Sequence, residues 1–186
     1  MSSWSWIDKL RSKLSLKIEP IDKNCDCAAV GVILTGNENN IETLMIKRHV
    51  KPNDPWSGQM AFPGGRFKIS DGNLLSTMIR EVYEEVGINL SAYGEILGSL
   101  SVVSPKNMPD LKVTPYVAVV LRKPMIIPSR EEIEEAFWVN LNELRLGKLE
   151  VMTSFGPRVE SGFFYKNYFI WGMTHRILHE LLSLIV

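Results

Sequence analysis

The clearest alternation of apolar and polar positions runs from Leu74 to Val86, where Leu75, Met78, Ile79, Val82 and Val86 recur at helical spacing. This spacing predicts a helix over about Asn73 to Val86, with Asp71 or Asn73 as N-cap and Gly87 as its stop. Upstream the pattern is that of strands. Ala28–Leu34 is an unbroken apolar run closed by Gly36-Asn37-Glu38-Asn39-Asn40, and Glu42–Arg48 follows, which predicts a hairpin. Met60–Phe62 reads as a short strand entering Pro63-Gly64-Gly65. Downstream, Glu95–Val103 and Val113–Leu121 read as strands around a proline-containing surface loop, Ser104 to Asp110. Ala136–Val139 is a further strand and Asn140–Leu146 a short helix. Gly162–Tyr165 and Tyr168–Trp171 flank Lys166-Asn167 as a second hairpin. The last helix, about Gly172 to Leu184, lays Thr174, Leu178, Leu181, Leu182 and Ile185 on one face. Near the N-terminus Trp6, Ile7, Leu10 and Leu14 fit an amphipathic helix that packs on the rest. Strands, one central helix, more strands and a closing helix make an α+β pattern. The expected division is an N-terminal helical extension, residues 1–24, and one domain, residues 25–186.

The polar flank of the central helix carries the chemistry. At about 100° per residue, Glu81, Glu84 and Glu85 fall within a single arc of roughly 100°. Like charges this close destabilise a plain solvated helix. A hard divalent cation removes that cost, because ions such as Mg²⁺ take carboxylate oxygens. Arg80 stands one turn before Glu84 and is placed to hold its carboxylate by a charge-assisted hydrogen bond.

Arg80-Glu81-Val82-Tyr83-Glu84-Glu85-Val86-Gly87-Ile88, preceded by Gly64-Gly65, resembles the Nudix box of the Nudix hydrolases. That box reads Gly, five residues, Glu, seven residues, then Arg-Glu-aliphatic-x-Glu-Glu-x-Gly-aliphatic. The second half matches throughout. In the first half Gly72 stands where the pattern has Glu, with Asp71 one place earlier, so the box is one residue longer. One outer carboxylate of the family set is thereby missing, with Asp71 its nearest partial substitute. The lengthened box, together with Leu44-Met45-Ile46-Lys47-Arg48 and Gly58-Gln59-Met60-Ala61-Phe62-Pro63-Gly64-Gly65, is similar to the coenzyme A diphosphatase branch. Here His49 replaces the Ser of that branch's signature, and the expected basic residue is offset to Lys51.

The resemblance implies a mixed sheet sandwiched between helices, and Mg²⁺ or Mn²⁺ held by Glu81, Glu84, Glu85 and the Gly65 carbonyl. It implies water attack on a nucleoside diphosphate derivative, best coenzyme A or an acyl derivative giving 3′,5′-ADP and 4′-phosphopantetheine. ADP-ribose, a dinucleotide or a nucleoside triphosphate are the alternatives, and a weakly catalytic binding module is the rival of another class. Glu81, Glu84, Glu85 and Arg80 are the expected catalytic residues. Arg48, Lys47 and Lys51 are candidates for phosphate contact. The general base is either a box glutamate or one of Glu131, Glu132, Glu134 and Glu135, whose plain reading is a solvated loop. Trp138 and Trp171 read as core. His175 and His179, four apart without a third ligand nearby, read as helix surface. Substrate choice is expected in Lys51–Ser57 and Ser104–Lys112.

Composition narrows the partners. With 21 basic and 21 acidic side chains the formal charge is zero, so there is no global field for nucleic acid or an anionic membrane. A chain of 186 residues with 45% apolar and 23% charged residues has room for a full core. No apolar run approaches the ~20 residues of a membrane span. Cys25 and Cys27 favour two free thiols in a reducing cytoplasm. A small nucleotide-type molecule is the expected partner, and a homodimer is an assembly the sequence leaves open.

Overall fold

Strand β1 (Cys27–Asn37) sets the layering, for every residue from Cys27 to Thr35 is buried. A strand covered on both faces reads as a continuous apolar run. Ala28, Val30, Val32 and Leu34 enter a cluster with Trp6, Ile7 and Leu10 of α1 (Ser5–Lys13) and Ile177, Leu178 and Leu181 of α4 (Gly172–Ile185). Ala29 and Ile33 enter a second cluster with Met78, Val82 and Val86 of α2 (Leu74–Val86). The computed structural model behind this description covers residues 5–16, 18, 21, 25–52, 54–153 and 156–185.

Around β1 runs a sheet in the order β3 (Met60–Ala61), β2 (Asn40–Arg48), β1, β6 (Lys112–Val120), β5 (Gly94–Ser99). Two more strands join it, β4 (Gly64–Arg66) on β1 and β7 (Ile133–Asn140) on β2. β1 and β6 are parallel and the other pairs antiparallel, so the sheet is mixed. With helices on both faces it is the expected α+β sandwich. The β1–β2 hairpin forms as its pattern predicts. It turns at Glu38-Asn39; just before the turn Gly36 (φ +109°) stands opposite Ile41, and a Cβ on it would lie 2.0 Å from the Asn40 carbonyl oxygen.

The N-terminal helix is tied to the last helix as well as buried against it. Lys13 Nζ donates to the Leu184 carbonyl at 2.8 Å and Lys9 Nζ to that of Ile185 at 3.4 Å. Cations on the final carbonyls of a helix satisfy acceptors that lack intrahelical donors.

Three elements differ from expectation. β8 (Arg145–Thr153) and β9 (Gly156–Tyr165) form a long ribbon paired with β10 (Tyr168–Trp171), where a short helix and a strand of only Gly162–Tyr165 were expected. Only Leu141–Glu143 makes a helical turn, of 3₁₀ type. Most of β8 is solvent-exposed, Leu146 and Met152 included, so it has no clean apolar face to reveal its period. The strand expected to reach Val103 ends at Ser99 after a register shift between Ile96 and Gly98, and Val103 keeps a single bridge to Val113. A four-residue helix, α3 (Leu90–Tyr93), capped by the Asn89 side chain, was not legible in the pattern. The cysteines also depart from the favoured reading. Cys25 and Cys27 are joined as a disulfide with Cα atoms 5.3 Å apart, inside disulfide reach, so they no longer point to a reducing compartment. Among the described residues no helix is long and apolar enough to cross a membrane.

Candidate active site

Helix α2 starts at Asn73, whose side chain accepts from the Ser76 N–H at 2.8 Å, and stops at Gly87 in the left-handed region, φ 73°. The N-cap is thus Asn73, which frees Asp71 for another task. Its carboxylate is almost fully covered and accepts from Arg80 Nε at 2.7 Å and Nη2 at 2.9 Å. It also accepts from Thr77 Oγ1 at 2.9 Å and from the Lys68 N–H at 3.0 Å. The guanidinium hydrogen bonds hold the Asp71 carboxyl well below the usual carboxylate range despite its burial. Bidentate pairing of this kind fixes a guanidinium in its plane.

So anchored, Arg80 turns its remaining nitrogen to the acidic face. Nη1 donates to Glu81 Oε1 at 2.6 Å and to Glu84 Oε2 at 2.9 Å. The predicted hold on Glu84 is present and extends to Glu81. The extra residue in the box is accommodated by a 3₁₀ turn over Ile69–Asp71 and by Gly72 at φ 75°, which bring Asp71 back onto Arg80. Sequence reading placed Asp71 as a partial stand-in for an outer carboxylate. In the fold it anchors the arginine, a role that spacing alone does not reveal.

Glu85 sits apart from this network. It is 2% exposed and its Oε2 accepts from the Gly64 N–H at 2.8 Å. The nearest cation, Arg48, lies 4.0 Å away. Burial, opposed by the Gly64 hydrogen bond and reinforced by the charge of Glu81, pushes the Glu85 carboxyl up to about 8. β4 brings the glycines here through its pairing with β1, Ala29 opposite Gly65 and Val30 opposite Gly64. A Cβ on Gly65 would lie 2.5 Å from the Glu81 carboxyl carbon, so only glycine lets the backbone come this near.

A cavity of about 400 Å³ collects these groups: Gly64, Gly65, Glu81, Glu84 and Glu85, joined by Arg48, Lys68 and Glu132. Arg48 is steered by Asp54, whose carboxylate accepts from Nη2 at 3.0 Å, and its buried Nε has no hydrogen-bond partner. Lys47 and Lys51 are not on this wall. Lys47 points away on β2 and pairs with Glu134 at 2.7 Å and Glu135 at 3.7 Å. Lys51 lies exposed on the following loop, where its N–H donates to Ser57. Asn53 in that loop lies outside the described residues.

The same packing separates the acidic run Glu131 to Glu135. Glu134 and Glu135 serve Lys47, and Tyr168 Oη donates to Glu135 at 2.6 Å, which helps push the tyrosine up to about 12. Glu132 alone of the run faces the cavity. A strap holds it there: the Ile127 and Ser129 N–H groups donate to the Val86 and Glu85 carbonyls, and the His49 N–H donates to that of Glu132. Of the residues read as plain structure, Trp138 packs against the α2-side core, whereas Trp171 lines a second cavity. His175 packs on the Phe163 ring at 5.1 Å, partly inside the fold rather than on its surface.

The donors facing the cavity are oxygens from carboxylates and backbone, the set that suits a hard divalent cation. As they stand they do not converge: Glu81 and Glu84 face Arg80 while Glu85 faces Gly64, and among the described residues no three acidic, His or Cys groups surround one point. The fit therefore rests on the chemistry of the donors and on Glu85, a buried carboxylate with no counter-charge in direct contact.

A mixed sheet between helices, with a Gly-Gly strand lying on an Arg-Glu-x-x-Glu-Glu helix beside a cavity, places the chain in the class of α+β sandwich domains. The particular match agrees: the model of the NUDIX domain fits residues 27–158, and the chain belongs to the Nudix hydrolase family. It is 35% identical over 130 residues to the uncharacterized Nudix hydrolase NudL of Citrobacter koseri, covering 67% of this chain and 66% of that one. Likeness to the Pectobacterium atrosepticum NudL is 27% over 183 residues, covering 95% and 91%. The match spans just under two thirds of the Citrobacter relative's length. Among solved structures, a MutT/nudix family protein from Enterococcus faecalis superposes with TM-score 0.55 at 17% identity, covering 100% of this chain and 76% of that one. A C. elegans Ap4A hydrolase superposes with TM-score 0.51 at 22% identity, covering 62% and 80%. At these identities the two structures speak for the fold.

Proposed function

We propose that this chain hydrolyses the diphosphate linkage of a nucleoside diphosphate derivative, with Mg²⁺ or Mn²⁺ held by Glu81, Glu84, Glu85 and the Gly65 carbonyl. The observation that carries the reading is the meeting of these four residues with Arg48 and Glu132 in one cavity. When bound, such an ion screens the phosphate charge and acidifies a coordinated water. The chain's own groups do the rest. Arg80, locked on Asp71, keeps Glu81 and Glu84 oriented. Glu132, the one loop acid on the cavity wall, is the base that accepts the proton of the attacking water. As the new P–O bond forms, the bond from phosphorus to the bridging oxygen breaks. The charge released on the departing phosphate is met by Arg48, which Asp54 aims inward. Lys68, on the rim 3.9 Å from Glu84, is the second cation within reach of a phosphate.

Coenzyme A or an acyl derivative is the proposed substrate, giving 3′,5′-ADP and 4′-phosphopantetheine. Its support is the Gly58-Gln59 to Gly64-Gly65 signature and the placement of Arg48 on the cavity. Lys47 and Lys51 are not used. The test is hydrolysis of a panel of coenzyme A, ADP-ribose, NADH and nucleoside triphosphates with Mg²⁺ or Mn²⁺, the products identified by mass. The expected result is cleavage within the diphosphate, with coenzyme A or its thioesters leading. No turnover of any member would favour a binding module, and a lead by ADP-ribose or a triphosphate would replace the substrate while leaving the chemistry.

A further inference from the structure

A second cavity of about 710 Å³ adjoins the first, and Trp56, Ala61, Pro105, Met173 and Thr174 line both. Its size is that of a site for a small organic group. Two walls come from elements outside the α2 site. The loop before β3 supplies Trp56, while β8, β10 and α4 supply Met152, Trp171 and Met173. The charged side chains on the wall are already engaged. Lys106 pairs with Glu160 at 3.0 Å, Asp54 with Arg48 at 3.0 Å, and Arg158 has a partner of its own. A phosphate or carboxylate entering here would have to compete with Glu160 for Lys106. Met60, Met152 and Met173 make the wall adaptable, which suits a flexible chain of variable length better than a rigid ring.

We infer that this cavity is a subsite for an uncharged, flexible apolar arm attached to one end of the diphosphate. The inference rests on the diphosphatase reading for the position of the phosphates. It adds which end of the substrate lies over β8–β10, and that this ribbon contributes to specificity. The nucleotide end, with any further phosphate, lies on the side of Arg66 and Lys68, the exposed cations that line the first cavity.

The test uses adenosine diphosphate monoesters of butyl, hexyl and octyl alcohol, which share one nucleotide and differ only in arm length. Binding is read by titration calorimetry to the Glu84→Gln variant of the 186-residue chain with Mg²⁺, so that the readout survives loss of turnover. ADP-ribose serves as the compact-arm control. Burying each methylene should tighten binding about fourfold. Trp171→Ala should flatten that gradient and weaken the octyl ester about tenfold while leaving ADP-ribose unchanged. Met152→Glu, a substitution at an exposed position of β8, should do the same by placing a charge in the cavity. Equal affinity for all three esters, or a gradient that neither variant alters, overturns the subsite. Hydrolysis of no diphosphate by wild-type protein would overturn the reaction, but would not by itself produce either of those binding results.

Discussion

Asp71 connects the first half of the box to the second. Four donors from Arg80, Thr77 and Lys68 converge on its covered carboxylate, and Arg80 passes the order on to Glu81 and Glu84. Asp71→Asn keeps the shape but takes from the guanidinium the most buried of its three carboxylate partners, leaving Glu81 and Glu84. It should lower stability by about 2 kcal/mol, read by urea unfolding, and lower kcat more than it raises KM. Glu85 makes a prediction of opposite sign. With its carboxyl pushed up to about 8 from the ordinary 4.5, the folded metal-free chain keeps a proton between those values that the unfolded chain has shed. The stability tied to that proton is present below pH 4.5 and is lost as pH climbs through 8. Glu85→Gln has no proton to lose. In EDTA its stability relative to wild type should therefore rise across this window, by up to a few kcal/mol. Unfolding curves at the two ends of the window check this, and Mg²⁺ should restore the wild type selectively.

Between elements, the β4–β1 contact decides how near the backbone comes to α2. Its two glycines should respond differently to substitution. Gly65→Ala would push only the far end of the Glu81 side chain, so folding should survive while kcat falls at least tenfold. Gly64→Ala would set a Cβ 2.3 Å from the Ala29 carbonyl oxygen at φ +155°, so the strand pairing itself should loosen and the melting temperature drop. Circular dichroism melts beside steady-state rates separate the two outcomes. Of the elements that build this contact, α2 and β1 were legible because their patterns are strong, whereas Gly64–Arg66 was not expected as a strand. α2 shows a full apolar face with a cap at each end, and β1 is apolar along its whole buried length. The β8–β9 ribbon was not legible, because its side chains are largely exposed and leave no period to read. Glu132 was visible only as one of four similar acids. It took the hydrogen bonds from Ile127 and Ser129 to the end of α2, a tertiary feature, to single it out. Lys47 and Arg48 are neighbours in sequence, but on a strand their side chains leave opposite faces, so only one could reach the cavity.

At the scale of the whole molecule, a sheet buried on both faces carries α2 and its acids on one side and α1 with α4 on the other. The first cavity opens at the edge where α2, β4 and the 127–132 strap meet, and the second cavity continues toward the β8–β10 ribbon and α4. The rigid frame means that a conservative change on the acidic face should alter chemistry without altering the fold. The exposed Glu84 is the cleanest place to look, since its carboxylate is half in solvent and contributes little to the core. The decisive measurement is kcat/KM for diphosphate hydrolysis by Glu84→Gln with saturating Mg²⁺, taken beside its melting temperature. A fall of several orders of magnitude at an unchanged melting temperature is the predicted result. Near-wild-type turnover in that variant would contradict the assignment of the reaction to this face of α2.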